Sequence, residues 1–154
     1  MLPGASVCAV AAPFVYPLRV RYGECDPQGI VFNANYLLYF DVAFTELWRA
    51  GVGPWQEMVE RGIDAVVAEA NIEFRAPARY DDELELRAQV IRLGSTAITT
   101  QIDVMRGSEL LVAGRLRHVC VSAPASNDDI RAMPWPEDIR AGLARFLSES
   151  DQDQ

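Results

Sequence analysis

The groups with chemical reach in this chain are a carboxylate in a tight turn, a single histidine and three cysteines. Asp26 opens the run Asp26-Pro27-Gln28-Gly29. Pro at the second turn position supplies a fixed φ and Gly fits the fourth, so the carboxylate is held beside a chain reversal. A held carboxylate can attack an activated acyl carbon or take a proton from a water that does so. Asp before Pro also serves turn formation with no chemistry at all. His118 lies two residues from Cys120 on a strand pattern, which puts both on one strand face. That permits a Cys-His pair or two zinc ligands, but no further ligand follows at a recognised spacing, and a strand cysteine is ordinarily a small buried hydrophobe. No metal is expected. With one histidine and no G-x-S-x-G, Ser-His-Asp chemistry is excluded.

Positioning Asp26 falls to the stretch from Arg19 to Val52. Leu18, Val20 and Tyr22 alternate with Arg19 and Arg21 as in a half-buried strand. After the turn, Asn33 or Asn35 offers an N-cap to a helix that runs to about Ala50 and is closed by Gly51. On a helical wheel Tyr36, Leu37, Phe40, Ala43, Phe44, Leu47 and Trp48 form a broad apolar face, with Asp41, Thr45 and Arg49 as a narrow polar stripe. So greasy a helix must be wrapped, and the rest of the chain supplies the wrapping. A short helix is expected over 54–61, ended by Gly62. Val66, Ala68, Ala70, Ile72 and Phe74 share one face of a long strand. Asp81-Asp82 implies a hairpin into a strand carrying Leu84, Leu86, Ala88 and Val90. Strands over 96–106 and 109–123 complete a meander. Ile139, Leu143, Phe146 and Leu147 predict a C-terminal helix. Residues 1–14 read as an extension, 15–147 as one domain and 148–154 as a polar tail.

Half of the 154 residues are apolar, enough for one core without disulfide or metal. The net charge of −8 and the lack of any basic run argue against nucleic acid as a partner. Every one of the 14 basic residues is an arginine, the side chain suited to gripping a few phosphates. Cys8, Cys25 and Cys120 form no disulfide framework, which points to the cytoplasm. No run approaches the ~20 apolar residues of a membrane span.

The run D-P-x-G-I-V-x-N-x-N-Y, preceded by Y-G-E-C and followed by F-D-x-A-x-T-E, resembles the 4-hydroxybenzoyl-CoA thioesterase family of the hotdog fold, as does E-F-R-A-P-A-R-Y-D-D further on. The resemblance implies an α+β hotdog fold, a long central helix wrapped by a curled antiparallel sheet of about five strands. It implies hydrolysis of an acyl-CoA or acyl-carrier-protein thioester by a homodimer or homotetramer, with no cofactor beyond the coenzyme A of the substrate. By motif position it makes Asp26 the nucleophile or general base and the Asn33 backbone amide the group that polarises the carbonyl, while Asn33 itself stands where relatives carry an aromatic or histidine. Glu46 is a further catalytic candidate, with an ion pair to Arg49 as its alternative. Gly29, Val31 and Tyr36 are placed at the substrate, and Arg92, Gly94, Ser95 and Thr96 near the coenzyme A phosphates. A thioester suits such a site, because a thiolate leaves without a strong acid and helix N-terminal amides can steady the developing oxyanion. The competing readings are a non-catalytic hotdog that binds an acyl or aryl ligand, and a hydratase or dehydratase, against which the lone His118 argues.

Overall fold

Alternating apolar residues build a sheet with one greasy face. The computed structural model describes residues 11–123 and 130–148. Five strands, β1 (Phe14–Arg19), β2 (Ile63–Phe74), β3 (Glu83–Leu93), β4 (Ala97–Arg106) and β5 (Glu109–Ser122), form one antiparallel sheet in the order β1-β3-β4-β5-β2. Leu84, Leu86, Ala88 and Val90 of β3 and Ile98, Ile102 and Val104 of β4 are buried on its inner face. Against that face lies α1 (Asn35–Gly51), whose Tyr36, Tyr39, Phe40, Ala43, Phe44, Leu47 and Trp48 are all buried. At roughly 1.5–3 kcal/mol for each large side chain, this one helix supplies much of the burial that holds the fold. Two shorter helices, α2 (Trp55–Glu60) and α3 (Glu137–Ala144), close the end of the core near the C-terminus of α1.

The helix meets the sheet closely at one point. A Cβ on Gly114 of β5 would stand 2.4 Å from Cζ of Phe40, so the glycine is what lets the tip of the phenyl ring come against the strand.

Several expectations are corrected. The hairpin between β2 and β3 does not form: β2 pairs with β5 and β3 pairs with β1. The meander β3-β4-β5 fills the interior of the sheet, and the 75–82 link, with Pro77 in it, is too long for a tight turn and carries the chain from the β2 edge across to β3, beside the β1 edge. A bulge between Val67 and Glu69 shifts the alternation of β2, so that Val67 opposite His118, not Val66 or Ala68, shares a face with Ala70, Ile72 and Phe74. On α1, Leu37 is 45% exposed and Tyr39 takes the buried place. Tyr22 leaves the strand for a 3₁₀ turn, Tyr22–Glu24, and is exposed. Gly51 belongs to the helix and the reversal falls at Gly53 (φ 132°); Gly51 is needed small, since a Cβ there would meet the Gly142 carbonyl oxygen at 2.8 Å. α3 stops at Ala144, leaving Phe146 and Leu147 beyond it. Most of the N-terminal extension, residues 1–10, and most of the tail, 149–154, lie outside the described residues, as does Cys8. Among the described residues no helix is long and apolar enough to cross a membrane.

Candidate active site

The turn at Asp26 is a small closed hairpin. Cys25 bridges Val31, the Gly29 N–H donates to the Asp26 carbonyl at 2.9 Å, and the Asp26 N–H donates to the Ile30 carbonyl at 2.9 Å. Gly29 takes φ 76°, the left-handed value that a type I turn followed by a bulge demands. Within it the Gln28 N–H donates to Oδ1 of Asp26 at 2.8 Å. Oδ2 has no partner among the described residues, so one oxygen is anchored and the other is free.

The helix that follows starts without a side-chain cap. Ala34 is the N-cap residue, and neither Asn33 nor Asn35 caps, contrary to expectation. Asn35 instead turns its Nδ2 back to the Glu24 carbonyl at 2.7 Å, while the Asn33 carbonyl accepts from the Tyr36 N–H at 3.3 Å. The N–H groups of Asn33 and Ala34 donate to no described residue. Unsatisfied amides at the positive end of a helix form an anion-seeking locus.

Asp26 and Asn33 line one open cleft of about 430 Å³ together with Val31, Tyr36, Phe74 and the segment Arg75, Ala76 and Pro77. Its far wall is tied to α1, because the Ala78 N–H donates to the Tyr36 hydroxyl at 3.2 Å and the Val31 N–H to the Ala78 carbonyl at 2.9 Å. Burial raises the pKa of the Tyr36 phenol, which therefore stays protonated. A carboxylate oxygen and the Asn33 N–H ahead of α1, both without a partner among the described residues, share one cleft with apolar walls and can activate and hold an acyl carbonyl.

The structure brings together Asp26, Val31, Asn33 and Tyr36, with Gly29 shaping the turn. Glu46 lies apart, in a groove with Leu38, Val42 and Arg19, with its Oε2 3.3 Å from Nε of Arg49. Arg92 lines a groove with Glu69, Arg115 and Arg117, and Gly94, Ser95 and Thr96 form the β3–β4 turn outside the Asp26 cleft. Sequence reasoning did not find the wall from Phe74 to Pro77; its signal was the link too long for the hairpin read there. His118 is buried and lies flat on Phe44, ring centroids 3.7 Å apart, and burial lowers its pKa to about 4. Cys120 is buried too, its thiol pushed up to about 11. No group of three metal-ligating side chains occurs among the described residues.

The family model described as the Thioesterase superfamily matches residues 28–113. The acyl-CoA thioester hydrolase YbgC of Escherichia coli O6:H1 is 32% identical over 109 residues, covering 70% of this chain and 81% of its own. The 4-hydroxybenzoyl-CoA thioesterase of Pseudomonas sp. strain CBS-3 is 30% identical over 126 residues, covering 78% of this chain and 89% of its own. Among solved structures, an aspartate-to-asparagine mutant of 4-hydroxybenzoyl CoA thioesterase complexed with 4-hydroxybenzoyl CoA superposes with a TM-score of 0.78 at 26% identity, over 86% of this chain and 99% of that one.

Proposed function

The chain belongs to the Thioesterase superfamily and is a thioester hydrolase, and we propose that it cleaves acyl-CoA esters in the cleft between Asp26 and the start of α1. The acyl carbonyl oxygen points at the Asn33 N–H, which carries part of the charge as the carbonyl carbon becomes tetrahedral. The free Oδ2 of Asp26 attacks that carbon, or takes a proton from the water that does. In either course the C–S bond breaks, coenzyme A leaves as thiolate, and water supplies the oxygen of the released acid. The observation that carries this reading is the joint lining of one cleft by Asp26 and Asn33, the first with a carboxylate oxygen and the second with an N–H, just ahead of α1, that have no partner among the described residues. The solved relative complexed with its CoA ester as an aspartate-to-asparagine mutant supports it.

The working unit is a homodimer paired along β2. The outer edge of β2 has no strand partner among the described residues, and it exposes Val67 and Phe74, the latter a wall of the cleft. A partner along that edge would extend the wall. Light scattering at micromolar concentration should give at least twice the 17.1 kDa chain mass; a monomer would contradict this assembly.

The test of function is thiol release from a panel of aryl, short-chain and long-chain CoA esters by the wild type and by Asp26→Asn. Turnover should fall by about 100-fold or more in the variant with circular dichroism unchanged. A folded variant with undiminished turnover would remove Asp26 from the chemistry.

A further inference from the structure

Asp26 and the Asn33 amide work on one carbonyl only if the distance between them is fixed, and the six-residue loop between them, closed internally and tied to Ala78, is joined to α1 at its base by Glu24. The Glu24 carbonyl accepts the Phe32 N–H at 2.9 Å and Nδ2 of Asn35 at 2.7 Å. Its Oε2 accepts the Tyr39 hydroxyl at 2.7 Å and the Arg21 N–H at 2.8 Å, and Oε1 meets Nη1 of Arg21 at 3.2 Å. One residue thus joins the chain just past β1, the chain leaving the turn and the first two turns of α1. The Glu24 side chain is only 12% exposed, and Tyr39 is buried with its phenol pKa raised by desolvation and by the carboxylate beside it, so Tyr39 acts as donor and Glu24 as acceptor.

We propose that Glu24, acting through Tyr39 and Asn35, is the positioning residue that sets the spacing between the Asp26 carboxylate and the Asn33 amide. It is placed away from the substrate, since Glu24 and Tyr39 line a separate groove and not the Asp26 cleft. Its effect therefore falls on the chemical step. A reacting group displaced by about 1 Å can cost up to about 100-fold in rate while substrate is still held.

The inference rests on the proposed roles of Asp26 and Asn33, and a double-mutant cycle separates the two. The variants are Tyr39→Phe, which deletes one hydroxyl and keeps the ring, Glu24→Gln, which keeps the acceptor oxygen, Glu24→Ala, and each of these with Asp26→Asn. Expected are a kcat lowered about tenfold in Tyr39→Phe and further in Glu24→Ala, partial rescue in Glu24→Gln, KM within about twofold throughout, and no further loss in the Asp26→Asn background. Melting curves establish that each protein is folded at the assay temperature. Folded Tyr39→Phe and Glu24→Ala with wild-type kcat, or with losses confined to KM, would overturn the inference. So would losses that multiply with that of Asp26→Asn. If Asp26→Asn alone keeps full turnover, the parent reading fails, and that result is visible without reference to Glu24.

Discussion

The two ends of α1 put the same secondary structure to opposite uses. At its C-terminal end Trp48 stands 4.9 Å from Trp55 and 5.5 Å from Trp135, ring centre to ring centre, with Met58, Ile139 and Leu143 buried around them. At its N-terminal end the chain leaves an open cleft, with two amides and a carboxylate oxygen that have no partner among the described residues. One end buries its rings in the core, the indole N–H groups of Trp48 and Trp135 included without a partner among the described residues; the other leaves its polar groups open to a cleft. The contrast teaches that such groups are tolerable because the helix is anchored elsewhere.

The largest loss of stability is expected at the tryptophan end. Trp48→Ala removes a fully buried ring from that cluster and should destabilise by about 3–5 kcal/mol, read as a lower urea midpoint. Per mole of folded protein, thioesterase activity should survive. A change below about 1 kcal/mol would mean the cluster is not the anchor.

Midway along the helix, His118 against Phe44 gives a pH test. Its folded pKa of about 4 lies below the ordinary 6.5, so the folded state disfavours the proton that the unfolded chain accepts. The resulting stability is present in full above about pH 6.5 and is lost as pH falls toward 4, roughly 3 kcal/mol in all. In His118→Gln the part of the fall in urea midpoint between pH 7 and pH 5 due to this group should disappear; an identical fall in both proteins would contradict it.

Gly114→Ala sharpens the comparison by disturbing the middle of α1 alone. The new methyl meets Phe40, and the ring must shift, at a cost of about 1–3 kcal/mol. A melting temperature equal to wild type would show that the ring moves freely.

The turn and the helix were readable because their signals are local. Asp26-Pro27-Gln28-Gly29 dictates its own backbone, and the aromatic face of α1 repeats at helical spacing. The errors came where non-local packing decides. The β2–β3 hairpin looked sound locally, but pairing partners depend on the whole sheet, and the bulge after Val67 is invisible to an alternation count. Leu37 and Tyr39 exchanged places because a single wheel does not know which side the sheet will take. Asn33 and Asn35 looked like caps because cap preference is statistical, whereas here Glu24 competes for the Asn35 amide. The candidate cleft was half legible: the motif pointed to Asp26 and Asn33, which line it together, while the Phe74–Pro77 wall needed the chain crossing, and the contacts of Glu24 needed the hydrogen bonds.

The most direct test of the account asks whether the helix start works through its backbone. Because the Asn33 side chain does not cap α1, Asn33→Ala should change stability by less than about 0.5 kcal/mol and leave single-turnover thiol release within about threefold of wild type. Asn33→Pro deletes the N–H at a position just before the helix, and in a variant whose circular dichroism is retained release should fall by about 100-fold. A folded Asn33→Pro protein that releases thiol at the wild-type rate, or an Asn33→Ala protein that does not release it, would contradict the claim that the free amide at the start of α1 holds the acyl oxygen.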